Sequence, residues 1–216
     1  MKTKIIIFDF DGTIADTQDA VIAITNRLAP EFGFSPLEQK QVAHFRGLTA
    51  KEIIKQSGVA VWKLPFLMQR VKQELKQEMK TVKPIDGIEL ALEELKKNQL
   101  QLGIITSNSE ENASQFLRQY GLLHYFNFVE SSFYIFGKDK VIKRLLRQKN
   151  IDPKMVAYVG DETRDLEAAR KSGVNGIAVT WGFNTAEVLV QSEPDAVIDH
   201  PSELLCVMNM TCKQRL

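Results

Sequence analysis

Two rhythms of apolar and polar residues divide the chain. Short apolar runs of strand length recur at residues 5–8, 100–106, 126–130, 155–159, 177–180 and 196–198. The first, Ile5-Ile6-Ile7-Phe8, has no polar member and is rich in β-branched residues, which suits a strand buried on both faces in a parallel sheet. From residue 16 to about 80 the rhythm is helical, with no convincing strand. Ala20, Val21, Ile24 and Leu28 share one helical face, and Pro30 is expected to stop that helix. Ser35 reads as the next N-cap, with Pro36 at the first helical position and Glu38 three places after the cap. Thr49 with Glu52 repeats the capping box, and Gly58 closes the helix that follows. Leu64, Leu67, Val71, Leu75 and Met79 then form an apolar stripe. The opposite face carries Arg70, Lys72, Lys76 and Lys80, and it reads as solvated surface.

Lys83-Pro84 marks a change, after which strands and helices alternate. Helices are expected at 86–97, where Asp86 and Glu89 serve the N-terminus, and at 109–120, which Gly121 terminates. Others should open near Lys138 and at 202–210. Alternation through short loops calls for an α/β fold with a doubly wound, Rossmann-like parallel sheet, whose crevice lies at the carboxyl ends of the strands. Residues 1–15 and 83–216 would form this core, and 16–82 an inserted helical unit.

Composition narrows the functional classes. The 216 residues are 44% hydrophobic, ample for a packed core, and 28 Lys plus Arg against 27 Asp plus Glu leave a net charge of +1. That balance argues for neither nucleic acid nor an anionic membrane as partner, and a small diffusible substrate fits better. No apolar run approaches the roughly 20 residues needed to cross a bilayer. Met1 to Lys4 leads straight into a strand rather than a signal peptide, so a cytoplasmic protein, monomeric or weakly homo-oligomeric, is expected. Cys206 and Cys212 lack paired CxxC spacing and read as free thiols on a terminal helix.

The chemistry-bearing residues fall where the strands end. In Phe8-Asp9-Phe10-Asp11-Gly12-Thr13 the two carboxylates point to the same side of the chain, a costly arrangement unless a cation sits between them. A calcium-binding EF-hand loop is excluded, because its bidentate Glu position is occupied by Ala20. Ser107 follows the second strand and Asp161 the fourth, so residues far apart in sequence converge on one sheet edge.

The run Asp9 to Thr13 resembles the first motif of haloacid dehalogenase-like phosphohydrolases. Ser107-Asn108 resembles the second, Lys138 the third, and Gly160-Asp161-Glu162-Thr163-Arg164-Asp165 the fourth, all in the family's order. The resemblance implies a Mg²⁺-dependent phosphatase acting on a small phosphorylated metabolite of the phosphoglycolate type. Asp9 would be the nucleophile and Asp11 the proton donor and acceptor. Mg²⁺ would be held by Asp9, the main-chain carbonyl of Asp11 and Asp161, with Glu162 or Asp165 behind them. Ser107, with Thr106 as its alternate, and Asn108 and Thr13 would hold phosphoryl oxygens, with Lys138, or its alternate Lys140, supplying positive charge. The helical insertion corresponds to a C1-type cap, whose Phe45-Arg46-Gly47 resembles the substrate-specificity loop of phosphoglycolate phosphatase-like and β-phosphoglucomutase-like members. Arg46 and Gly47 are therefore candidate substrate contacts, with a purely structural role for both as the competing reading. A sugar-phosphate mutase or a pyrophosphatase would use the same core, and a phospho-accepting regulatory module is the non-enzymatic alternative. Dehalogenation is disfavoured, since it needs neither metal nor leaving-group acid.

Overall fold

The computed structural model describes residues 3–132 and 137–208. The first strand, β1 (Ile5–Phe8), lies inside a six-stranded sheet whose strands all run parallel. The others are β2 (Gln101–Thr106), β3 (Phe128–Ser131), β4 (Val156–Gly160), β5 (Asn175–Val179) and β6 (Ala196–Ile198), in spatial order β3-β2-β1-β4-β5-β6. Ile5 to Phe8 pair with Gln101 to Ile104 on one side and with Val156 to Val159 on the other. The order reverses direction between β1 and its neighbours β2 and β4. That is the switch point where a doubly wound sheet opens its crevice.

Four helices, α1 (Gln18–Phe32), α2 (Gln39–Arg46), α3 (Ala50–Gln56) and α4 (Leu64–Glu78), separate β1 from the rest of the sheet. Among the elements described in this stretch there is no strand. Afterwards come α5 (Ile88–Lys97), α6 (Glu110–Gln119), α7 (Lys138–Lys149), α8 (Thr163–Ser172), α9 (Ala186–Gln191) and α10 (Leu204–Met208), which alternate with the strands. The chain leaves and re-enters the sheet side by side: Asp16 N–H donates to Lys83 O at 2.9 Å and Ile85 N–H to Ile14 O at 2.9 Å. One cluster of buried apolar side chains contains both sheet residues (Ile6, Phe8, Ile104, Val159) and helical ones (Ile24, Leu28, Leu67, Val71, Leu75). The helical segment therefore shares a core with the sheet.

In a few places tertiary contacts override the local sequence signals. Pro30 does not stop α1, which runs on to Phe32 and ends at Gly33 in the left-handed conformation. A proline in the last turn forfeits a single backbone donor, a cost that tertiary packing absorbs. Ser35 is not the N-cap of α2; Glu38 is, with Gln41 completing the reciprocal bonds. Leu37 is bound through its own N–H and C=O to the Asn26 side chain, which holds 35–37 out of the helix. The helix expected from Asp86 begins at Ile88, after Gly87 takes a left-handed turn. The short α9 carries too little periodicity to be read. Cys206 is disulfide-bonded, which corrects the free-thiol reading; CxxC spacing favours such a bond without being required for it. Cys212 and the expected helix end at residue 210 lie outside the described residues. No described helix is long and apolar enough to cross a membrane.

Candidate active site

The carboxyl edge of the sheet collects charged groups that its strands deliver from far apart in the chain. Asp9 immediately follows β1 and Asp161 immediately follows β4, and these strands are neighbours in register. Lys138 opens α7 and Asp165 sits in the first turn of α8. Asp9, Lys138 and Asp161 are each 1% exposed and Asp165 is fully buried. Lys138 Nζ lies 2.7 Å from Asp9 Oδ2 and donates to Asp165 Oδ1 at 2.6 Å. Lys140 is exposed, so Lys138 is the lysine the fold brings to Asp9. Its ammonium also stacks over the ring of Tyr158, whose hydroxyl is anchored on Ile105 O at 2.7 Å.

Asp161 is held in a narrow cradle. Thr13 Oγ1 donates to its Oδ1 at 2.9 Å and Phe183 N–H to its Oδ2 at 2.8 Å. Gly12, at φ +75°, passes so close that a Cβ there would lie 2.3 Å from Asp161 Oδ2, and a Cβ on Gly182 would lie 2.2 Å from Asp161 Cβ. Only glycine fits at either place. Thr13 thus spends its hydroxyl on Asp161.

Asp11 occupies a different setting. Both its oxygens accept from Asn108 Nδ2, at 3.3 and 3.2 Å, and Asn108 Oδ1 in turn accepts from Asn112 Nδ2 at 3.1 Å. Burial raises the Asp11 carboxyl above its ordinary range, while hydrogen bonds from Asn108 and Thr17 pull the other way. Thr106 Oγ1 accepts from Asn108 N–H at 2.9 Å and so braces the loop that presents Ser107. Ser107 is itself buried.

Electrostatics decide what this site fits. Burial pushes the Asp9 carboxyl up to about 7, with Lys138 opposing the shift. Asp161 is driven well above the usual range by burial first, then by Glu162, Asp9 and Asp165. Burial works against the Lys138 ammonium, yet Asp165 and Asp9 outweigh it and raise its pKa. Five carboxylates, at 9, 11, 161, 162 and 165, thus meet the buried Lys138 and the partly buried Arg164 and Lys72. Negative charge in excess at a buried site is relieved by protonation, which the raised Asp9 and Asp161 carboxyls favour, or by a further cation. Asp9, Asp161 and Asp165 each offer a carboxylate oxygen, and these atoms all lie within 4.8 Å of one another. Such hard oxygen donors suit a divalent ion.

Several residues here were not foreseen. Glu162, read either as supporting metal-bound water or as starting the next helix, caps α8 and takes Arg164 as a bidentate partner at 2.9 and 2.5 Å. The Arg164 side chain is 10% exposed, and its Nη1 is buried without a hydrogen-bond partner. Lys72, on the helix face that the sequence pattern assigns to solvent, is half-buried. Its carbonyl accepts from Asn112 Nδ2 at 3.4 Å, and its ammonium feels the charges of Arg164 and Asp11. A lysine on the polar face of a helix gives no signal of this kind until the partner surface is known. Gly47 ends α2, its N–H on His44 O, and is exposed. Arg46 is turned to the chain after β5: Nε donates to Phe183 O at 2.9 Å and Nη2 to Gly182 O at 3.0 Å. Buried Asn184, which sequence gave no reason to mark, joins the same region.

A family model for haloacid dehalogenase-like hydrolases matches residues 6–179, spanning every one of these strand ends. The chain belongs to that family. It is 38% identical over 209 residues to a phosphoglycolate phosphatase of Synechococcus elongatus, covering 97% of this chain and 99% of that one. It is also 27% identical to an N-acetylmuramic acid 6-phosphate phosphatase of Pseudomonas aeruginosa, over 97% and 96% of the two chains. In fold it is similar to a haloacid dehalogenase-like family hydrolase from Streptococcus pneumoniae, with a TM-score of 0.78 and 23% identity over 95% of this chain and 98% of that one. A hydrolase of this family, phosphoglycolate phosphatase-like along its whole length, is what the sheet edge serves.

Proposed function

We propose that the chain is a Mg²⁺-dependent phosphatase that hydrolyses a small phosphomonoester bearing a second anionic group, as phosphoglycolate does. The observation that carries this reading is the buried Asp9–Lys138–Asp165 chain beside Asp161, with Asp11 held apart by Asn108. Asp9 and Asp161, with the main-chain carbonyl of Asp11, would hold the ion, and Asp165 would keep Lys138 in place. Bound there, Mg²⁺ would neutralise charge on the phosphoryl oxygens and keep Asp9 ionised.

The residues divide the remaining work. An Asp9 oxygen attacks phosphorus in line, the ester P–O bond breaks, and the leaving oxygen takes a proton from Asp11. The resulting aspartyl-phosphate is hydrolysed by water, whose proton returns to Asp11. Lys138 and the Ser107 hydroxyl stabilise the equatorial oxygens. The burial that raises Asp11, set against its bonds from Asn108 and Thr17, favours such a proton-exchanging role. Residues 16–82 would act as a cap that excludes water from the site. The half-buried Lys72, whose ammonium feels the charge of Asp11, supports a substrate with negative charge beyond its phosphate. This reading gives the enzyme small metabolites as partners.

A panel of small phosphate esters assayed with Mg²⁺ and with excess chelator tests the reading. Metal-dependent phosphate release, fastest from an ester with a nearby carboxylate, is the expected result. Transfer between positions of a sugar phosphate would point to a mutase, cleavage of pyrophosphate alone to a pyrophosphatase, and release unaffected by chelator would remove the metal.

A further inference from the structure

Arg46 and Asp161 belong to different elements, one ending α2 and one following β4, yet the same two peptide groups join them. The peptide between Gly182 and Phe183 presents its carbonyl to Arg46 Nη2 at 3.0 Å and its N–H to Asp161 Oδ2 at 2.8 Å. The next peptide, between Phe183 and Asn184, presents its carbonyl to Arg46 Nε at 2.9 Å and its N–H to Asp161 O at 3.2 Å. A peptide unit is planar and rigid, so the direction of each N–H is fixed by where its carbonyl points. Each unit is polarised from both ends, which strengthens both bonds.

Other bonds make this a seam rather than a single contact. Asn184 Nδ2 donates to Arg46 O at 2.9 Å and to Leu48 O at 3.0 Å, while its Oδ1 accepts from Thr163 N–H at 3.0 Å. Thr185 N–H also donates to Arg46 O, at 2.9 Å. Gly182 lets the strip lie directly on Asp161, where any side chain would collide. Trp181, whose indole N–H donates to Thr13 O at 3.2 Å, ties its near end to the loop that also binds Asp161.

We propose that Arg46 is a positioning residue: through the two peptides of 182–184 it sets the orientation of Asp161, so that seating of the helical segment and binding of a divalent cation are coupled. The inference rests on the reading of Asp161 as a metal ligand. A guanidinium suits the task because its planar fork addresses two successive carbonyls at fixed spacing, which an ammonium cannot do. Coupling of this kind is reciprocal. Mg²⁺ steadies the seam, and loss of the seam weakens Mg²⁺.

Tryptophan fluorescence provides the measurement. In a Trp62→Phe background Trp181 is the remaining tryptophan, and Mg²⁺ is titrated against the full chain, with calorimetry as a second readout. Arg46→Ala is expected to weaken Mg²⁺ binding about tenfold, the size of effect typical when a partner behind a metal ligand is removed. Arg46→Lys should fall between, which also covers the case of a poorly folded alanine variant. Amide hydrogen exchange at 183–185 should quicken in Arg46→Ala even without metal. If Arg46→Ala raises KM for substrate or lowers the melting temperature while the Mg²⁺ affinity stays at the wild-type value, the coupling is refuted and the metal reading stands. If the wild-type chain itself fails to bind Mg²⁺, the metal reading falls and the coupling with it.

Discussion

Lys138 and Lys72 both lie on amphipathic helices, and the difference between them separates the two regions of this molecule. Lys138 starts α7 at the carboxyl edge of the sheet and lies beside Asp9. Lys72 sits in the middle of α4, and its surroundings depend on how one helix packs against the rest of the chain. Only docking brings it next to Asn112 and within reach of Asp11. Residues at strand ends inherit their place from topology, whereas residues on an inserted segment acquire theirs from an interface. The sheet edge should therefore carry the chemistry and the helical segment its selectivity.

Substitution of Asp9 gives the largest expected effect and the sharpest test of that division. Asp9→Asn keeps the shape but removes the nucleophile and a metal-binding oxygen, and should lower turnover by roughly 10⁴-fold or more. Steady-state hydrolysis of p-nitrophenyl phosphate, which makes few demands on the helical segment, is the appropriate assay. A loss of similar size from any single change in residues 16–82 would show that the chemistry is shared across the interface.

How much of this was legible follows the same boundary. Ile5-Ile6-Ile7-Phe8 and its counterparts specify buried parallel strands because nothing polar interrupts them, and the strand ends then identify Asp9, Ser107 and Asp161 together. The capping box of Thr49 and Glu52 was equally plain, and both reciprocal bonds are present. Signals that depend on distant partners were not. Asn26 holds 35–37 away from the helix that Ser35 and Pro36 seemed to open. Arg46 and Asn184 are 138 residues apart, and nothing local to either announces that they meet. Arg164 reads as an ordinary surface arginine in the first turn of a helix until burial and its bond to Glu162 are seen.

A smaller effect is expected from Lys72. If its charge helps hold the second anionic group, Lys72→Ala should lower kcat/KM for the preferred ester about tenfold, or about 1.4 kcal/mol, and change p-nitrophenyl phosphate hydrolysis less than about twofold. Lys76 supplies the control on the same helix. It pairs with Glu111 at 2.9 Å between exposed side chains, so Lys76→Ala should leave both substrates nearly unchanged. Equal losses for the two substrates in Lys72→Ala would mean that it serves the core reaction or the packing of α4 instead.

The smallest effects address whether the two regions fold as one. Thr49 caps α3 in the helical segment, where its Oγ1 accepts from Glu52 N–H at 3.4 Å; Ser109 caps α6 beside the sheet, where its Oγ accepts from Asn112 N–H at 3.1 Å. Replacing either by alanine removes its capping bond, and for Thr49 also the bond its hydroxyl donates to Glu52 Oε2 at 2.7 Å; each should cost about 1 kcal/mol. In a chain of this length that shifts the melting temperature by roughly 2–4 °C. Separate folding units would respond separately, and Thr49→Ala would then split the thermal transition into an early helical step and an unshifted main one. The apolar cluster that holds Ile24, Leu67 and Val71 together with Ile6 and Phe8 argues otherwise, because α1 and α4 cannot melt without exposing side chains the sheet also buries. Both variants should therefore show one transition, displaced alike by circular dichroism and by Trp181 fluorescence in the Trp62→Phe background. A displacement seen by only one of these probes would instead mark the helical segment as a unit that opens on its own.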